Sequence, residues 1–147
     1  MKTKLIVMAL MVTVLPVAAA CAPVSGASPA AEASIDVSID EFEQAKNIAQ
    51  EVVVADGGTL TVSLGSNPTT GFSWDEAAQI ADPMVLQQTG SELLPAEGQG
   101  LVGAPGTHVW TFKALQKGST TVSMDYSRPW EGGEKGVWTF DLTVTVK

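Results

Sequence analysis

Apolar and polar residues alternate strictly through Ser34-Ile35-Asp36-Val37-Ser38-Ile39, the period-two pattern of a strand with one face buried. Asp40 to Gln50 is richer in helix formers and fits a short helix and an extended crossing segment equally. From Glu51 the strand signal returns: Val52-Val53-Val54, a turn expected at Asp56-Gly57-Gly58, then Thr59 to Leu64 with Leu60, Val62 and Leu64 on one face. Further strands are predicted over Phe72 to Ala77 and Met84 to Thr89, and the Gly- and Pro-rich stretch from Gly90 to Pro105 reads as an irregular loop. Thr107 to Leu115 sets His108, Trp110, Phe112 and Ala114 on one face. Lys117-Gly118 turns the chain into Ser119 to Tyr126, where Val122, Met124 and Tyr126 share a face. After a loop over Ser127 to Gly136, the strand Val137 to Val146 directs Trp138, Phe140, Leu142, Val144 and Val146 inward. Thr139, Asp141, Thr143 and Thr145 alternate with them and point outward.

Seven or eight short strands, each bounded by turn residues and none followed by a long helix, predict an all-β fold, an antiparallel β-sandwich. Trp110 and Trp138 fall on inward faces and are expected to be core. Successive antiparallel strands run in opposite directions, so alternate connections emerge at one end. That parity puts the loop at Asn67, the loop ending at Gly106 and the loop from Ser127 to Gly136 together.

The N-terminus changes the expected location. Lys2 and Lys4 precede an apolar run from Leu5 to Val14 and the small residues Ala18-Ala19-Ala20, the make-up of a secretory signal over residues 1–20. Cys21 follows directly, in a placement that resembles the lipobox of bacterial lipoproteins, although Ala18 stands where Leu or Val is usual. A plain Ala-x-Ala cleavage releasing a soluble protein is the alternative. The small, proline-dotted segment completing residues 21–33 reads as a flexible tether, which leaves 34–147 as one domain. An extracytoplasmic protein, lipid-anchored to the membrane at Cys21 or otherwise secreted, is expected, and membrane contact only through that anchor.

Charge and residue inventory then exclude several functions. The formal net charge is -8 and no basic cluster occurs, which disfavours nucleic acid as a partner. A single cysteine, outside the domain, forms no internal disulfide, thiol nucleophile or zinc cluster. The single histidine, His108, has apolar neighbours and reads as a core-edge residue, and no Gly-x-Ser-x-Gly elbow is present. No enzyme, metal or cofactor is expected.

The unusual residues lie in the three co-located loops: Asn67-Pro68-Thr69-Thr70-Gly71-Phe72, Gly103-Ala104-Pro105-Gly106 and Arg128-Pro129-Trp130, the last followed by Glu131-Gly132-Gly133-Glu134-Lys135. Taken singly, each is ordinary turn chemistry. Together, in this order and spacing, they resemble the chagasin family of cysteine-peptidase inhibitors over about residues 50 to 147. The first and last motifs match in full, whereas Pro105 stands where the family's Gly-x-Gly-Gly pattern has glycine. The resemblance implies an immunoglobulin-like sandwich that blocks papain-type peptidases reversibly and without a covalent bond, acting as a monomer.

On that reading Thr69, Thr70 and Gly71 are slim enough to enter a cleft whose floor holds a thiolate and an imidazolium, and Pro68 stiffens the tip. Phe72 sets the loop base or touches the partner. Trp130 is an interface anchor or folds back on the sandwich. Arg128 reaches carboxylates on the enzyme or braces its own loop. Proline at position 105 fixes φ and removes an N–H, so the middle loop is expected to contribute less or to select different peptidases. The competing reading is a non-inhibitory surface module with a binding or structural role in the cell envelope, which a sandwich fold also allows.

Overall fold

A computed structural model describes residues 29–96 and 103–147. The expected signal peptide, Cys21 and most of the expected tether lie outside the described residues. In chain order the elements are strand β1 (Ala30–Val37), helix α1 (Ile39–Ala45), β2 (Asn47–Ser66), β3 (Ser73–Trp74), β4 (Gln79–Ile80), β5 (Leu86–Leu94), β6 (Gly106–Ala114), β7 (Gly118–Ser127) and β8 (Trp138–Val146). Neighbouring strands follow the order β3-β7-β8-β2-β6-β5, with β1 added on β2 and β4 on β7.

Strand β2 joins the two layers of the sandwich. Residues Asn47 to Val54 pair in parallel with β8, and Thr59 to Ser66 pair antiparallel with β6. The Asp56-Gly57-Gly58 segment is therefore the reversing turn that the sequence predicts, and it also carries the chain from one sheet to the other: β2 runs away from Thr139 beside β8 and returns to Gly106 beside β6. Gly57 has φ 74, and a Cβ on Gly58 would sit 2.8 Å from the carbonyl oxygens of Ala31 and Ala55, so the bend requires glycine. Its backbone groups are satisfied by the chain terminus: Asp56 N–H donates to Lys147 O at 2.9 Å and Lys147 N–H to Val54 O at 3.0 Å. β1 is a second parallel partner of β2, and the remaining pairings are antiparallel.

The entry to the domain also differs from the sequence expectation. β1 begins at Ala30, inside the expected tether, and Ile39 belongs to the helix rather than the strand. Ser38 caps α1: its hydroxyl accepts from the Glu41 N–H, and the Glu41 carboxylate accepts from the Ser38 N–H at 2.8 Å. That reciprocal pair decides for a helix in the segment left open between helix and extended chain. It also holds the Glu41 carboxyl below the usual carboxylate range.

The expected inward faces are the core. His108, Trp110, Phe112 and Ala114 of β6, Val122, Met124 and Tyr126 of β7, and Phe140, Leu142, Val144 and Val146 of β8 are all buried. Each large apolar side chain so buried contributes about 1.5–3 kcal/mol. Trp138 is half-buried and packs on this core between α1 and β7, 5.5 Å from the Phe42 ring and 4.7 Å from Tyr126. Trp74 lies 4.9 Å from Phe42, 5.0 Å from Tyr126 and 6.4 Å from Trp110. These aromatic contacts run from the helix to the loop end of the sandwich. His108 stacks on Trp110 at 4.1 Å and shares a 2.7 Å hydrogen bond with Ser91. Burial pushes its pKa down, partly offset by Glu76.

Two predicted strands have different limits. The one expected over Phe72 to Ala77 is ladder-paired only at Ser73 and Trp74; Asp75 N–H still donates to Asp125 O at 3.1 Å, and beyond it side chains take over the backbone partners. Trp110 Nε1 donates to Asp75 O and Glu76 O at 3.1 and 3.2 Å, and the Gln88 amide bridges Glu76 O and Ala78 N–H. The Gly90-to-Pro105 stretch is not all loop: β5 continues to Leu94, opposite Thr107. Gly90 lies just past a register shift and opposite Thr111, so it marks an irregularity in a strand instead of its end.

Candidate functional site

The strand directions place the three loops at one pole. Ser66, at the end of β2, pairs with Gly106 at the start of β6, and Ser73 pairs with Ser127 at the end of β7. Both described termini lie at the other pole, with Ala30 opposite Val54 and Lys147 bonded to Val54. Direct proximity confirms the convergence. A Cβ on Gly71 would lie 2.6 Å from Trp130 Cη2, and one on Gly103 would lie 4.0 Å from Thr69 Oγ1. The first loop is thus flanked by the last loop on one side and the middle loop on the other.

The first loop is a wound tip. Pro68–Thr70 forms one 3-10 turn, closed by Thr70 N–H to Asn67 O at 3.2 Å and Gly71 N–H to Pro68 O at 3.1 Å. Proline suits the start of such a turn because its missing N–H would have had no partner there. Gly71 ends it in the left-handed region, φ 81 and ψ 0. Asn67 organises the rest: its side-chain oxygen accepts from Thr69 Oγ1 at 2.6 Å, its carbonyl from Thr70 Oγ1 at 2.7 Å, and its N–H donates to the Tyr126 hydroxyl at 2.9 Å. Pro68, Thr69 and Thr70 are exposed, whereas Asn67, Gly71 and Phe72 are half-buried.

Phe72 forms the base, its ring stacked 5.6 Å from Tyr126 and packed against the core. Above it the Arg128 guanidinium carbon lies 4.4 Å from the Phe72 centroid and 5.8 Å from that of Trp130. Of the two roles open to Arg128, the geometry displays the bracing one. Among the described residues its Nε is buried with no hydrogen-bond partner, so the side chain is held by packing and ring electrostatics.

The last loop closes on its own backbone. Arg128 N–H donates to Glu134 O at 2.8 Å and Gly133 N–H to Trp130 O at 3.1 Å. The Lys135 ammonium donates to the carbonyls of Arg128 and Trp130. Gly133 is required here, since a Cβ would stand 2.7 Å from Arg128 Cβ. Trp130, 51% exposed, neither enters the core nor hangs free: the edge of its indole touches Gly71 and one broad surface stays open.

In the middle loop Gly103 has φ 93, and a Cβ on Gly106 would come within 2.4 Å of Leu94 O. Both outer glycines of this motif therefore have structural reasons, while Pro105 is exposed and Ala104 half-buried between them. Residues 97–102 of the loop lie outside the described residues.

Tyr126 and Lys135 join the site although the sequence reading gave them no part in it. A core tyrosine needs a partner for its hydroxyl, and that requirement was the available signal for Tyr126. Lys135 had none beyond its place in the loop. Among the described residues no group of His, Cys, Asp and Glu is placed to hold a metal ion.

A β-sandwich that projects three neighbouring, largely exposed loops from one end is a recognition module, built to dock on another macromolecule. The chain belongs to the chagasin family: residues 53–144 match the family model described as chagasin family peptidase inhibitor I42. It is 30% identical to amoebiasin-2 of Entamoeba histolytica over 90 residues, 60% of this chain and 70% of that protein. It is 31% identical to chagasin of Trypanosoma cruzi over 86 residues, 52% of this chain and 77% of that one. A crystal structure of a cysteine protease inhibitor from Entamoeba histolytica shares the fold, with TM-score 0.60 and 22% identity over 79% of this chain and 97% of that chain.

Proposed function

We propose that this protein inhibits papain-type cysteine peptidases by seating Asn67 to Phe72 in the catalytic cleft, with Gly103 to Gly106 and Arg128 to Trp130 gripping its two walls. The observation that carries this reading is the contact of Trp130 with Gly71. It places the largest exposed aromatic of the loop end beside the narrowest tip. Support for a thiol-peptidase target comes from the family and from the Entamoeba relative named as a cysteine protease inhibitor.

The geometry shapes how such inhibition works. Thr69 and Thr70 spend their hydroxyl protons inside the loop, on Asn67 Oδ1 and Asn67 O. Their oxygens therefore face the cleft as acceptors, suited to the imidazolium of the catalytic pair. A tip already wound and hydrogen-bonded loses little conformational freedom on docking. A 3-10 turn also lacks the extended backbone that presents a scissile carbonyl to a thiolate, so the complex is bound and not turned over. The protein itself carries no catalytic function in this scheme, needs no cofactor and acts as a monomer.

Titration of papain and of a cathepsin-L-like peptidase with the purified protein tests the reading. Stoichiometric, reversible loss of activity is expected. Trp130→Ala is expected to raise Ki about 30-fold, the effect of losing an interface anchor worth about 2 kcal/mol, without lowering Tm. Full peptidase activity at large excess of the protein overturns the reading and favours a non-inhibitory envelope module.

We further propose export and lipid anchorage at Cys21. The described chain starts at the pole opposite the three loops, so a tether leaving from there keeps the inhibitory end clear of a membrane. The mature N-terminus is expected to be a diacylglyceryl-modified Cys21 by mass spectrometry, with Cys21→Ser releasing the protein to the medium. An unmodified thiol on Cys21 would identify a secreted form instead.

A further inference from the structure

Helix α1 precedes residues 53–144, the part of the chain matched to the family, yet it packs beside the loop end. Between them lies a cavity of about 300 Å³. Ile39 and Glu43 of α1 form one wall, Thr70 and Phe72 of the first loop another, and Val137 and Trp138 complete it. We propose that this cavity is a specificity pocket for one basic side chain, Arg or Lys, from the rim of the bound peptidase. The proposal rests on the inhibitory reading above and assigns its target a basic residue on the α1 side of the cleft.

Three observations select that occupant. First, Thr70 belongs both to the tip and to the pocket, so a peptidase seated on the tip brings its rim over the opening. Second, the volume lies at the bottom of the range for ligand sites, which suits one long side chain better than a free metabolite. Third, the walls are mostly aliphatic and aromatic, Asn67 and Thr70 add neutral polar groups, and Glu43 is the single charged one. An Arg or Lys side chain matches that layout, with an apolar stem along the rings and a cation reaching the carboxylate.

The Trp138 ring is already a cation-π partner, with the Lys46 ammonium 5.9 Å from its centroid; that ammonium is a like charge beside the pocket, which the Glu43 carboxylate offsets. The chain as a whole carries a formal charge of -8, which favours approach of a basic surface. Glu43 is exposed on its helix and takes no part in the Ser38–Glu41 cap, so it can be replaced without cost to the fold.

The test is the Ki of wild-type, Glu43→Gln and Glu43→Lys proteins against a panel of papain-type peptidases, at low and high salt. For peptidases with a basic rim residue, Glu43→Gln is expected to raise Ki about 5-fold and Glu43→Lys about 50-fold, with unchanged Tm. The difference between wild type and Glu43→Gln is expected to shrink at high salt, a dependence that a merely structural role would not produce. If the wild-type protein inhibits several peptidases and Glu43→Lys leaves every Ki unchanged, the pocket assignment is overturned while the inhibitory reading stands. If the wild-type protein inhibits none, the inhibitory reading itself has failed.

Discussion

Thr70→Arg is expected to abolish inhibition, raising Ki by about a thousandfold, roughly 4 kcal/mol, while Tm stays within a degree or two of wild type. Thr70 is exposed at the end of the wound tip, and its side chain makes one hydrogen bond, to Asn67 O at 2.7 Å. Removing that bond costs about 1 kcal/mol at most in an exposed turn. The loss of binding has a different source. The tip has Trp130 against Gly71 and the middle loop's Gly103 near Thr69, so a side chain too long for the cleft lifts its neighbours with it. Enzyme titration and thermal melting on the same preparation read both quantities. Near-normal Ki for Thr70→Arg would mean that the first loop does not enter the cleft, and Asn67 to Phe72 would lose their assigned role.

Gly71→Ala is expected to raise Ki about a hundredfold and to lower stability by about 1–2 kcal/mol, through two separate strains. The residue has φ 81, where a Cβ meets its own backbone, and that Cβ would stand 2.6 Å from Trp130 Cη2. The first strain unwinds the tip. The second pushes the indole away from it, because Trp130 has solvent to move into and the wound loop is held by its own hydrogen bonds. A double-mutant cycle separates the two: with Trp130→Ala already in place the clash is gone, so the combined loss of affinity falls short of the sum of the single losses. Strict additivity would show that the Trp130–Gly71 contact plays no part in shaping the inhibitory end.

The alternation of residues in the second half of the chain was readable because one face of each strand meets a single core. His108 to Ala114, Val122 to Tyr126 and Phe140 to Val146 are buried on the faces that period two assigns. Signals failed where the structure departs from one strand, one ladder. Asp56-Gly57-Gly58 reverses the chain as its composition announces, and what the composition did not announce is that the two arms of the turn pair in different sheets. Turn composition reports that the backbone needs glycine to reverse, not which partner each arm takes. The strand expected over Phe72 to Ala77 shortened because Trp110 and Gln88, distant in sequence, satisfy its backbone in place of a ladder. The helix was announced by Ser38 and Glu41 at capping-box spacing, a local cue that outweighs the apolar alternation running up to Ile39.

The loop residues were likewise legible in part. Their motifs and the parity of strand directions place Asn67 to Phe72, Gly103 to Gly106 and Arg128 to Trp130 at one end. Sequence alone settled the sandwich class, the core faces and the co-location of the loops, since periodicity and chain direction are local properties that survive in one dimension. Only tertiary structure decided that Tyr126 holds the first loop, that Arg128 lies between Phe72 and Trp130, and that α1 closes a pocket with the inhibitory tip. Those contacts join residues far apart in the chain, and their distances are set by how two sheets and a helix pack, which no spacing along the chain encodes.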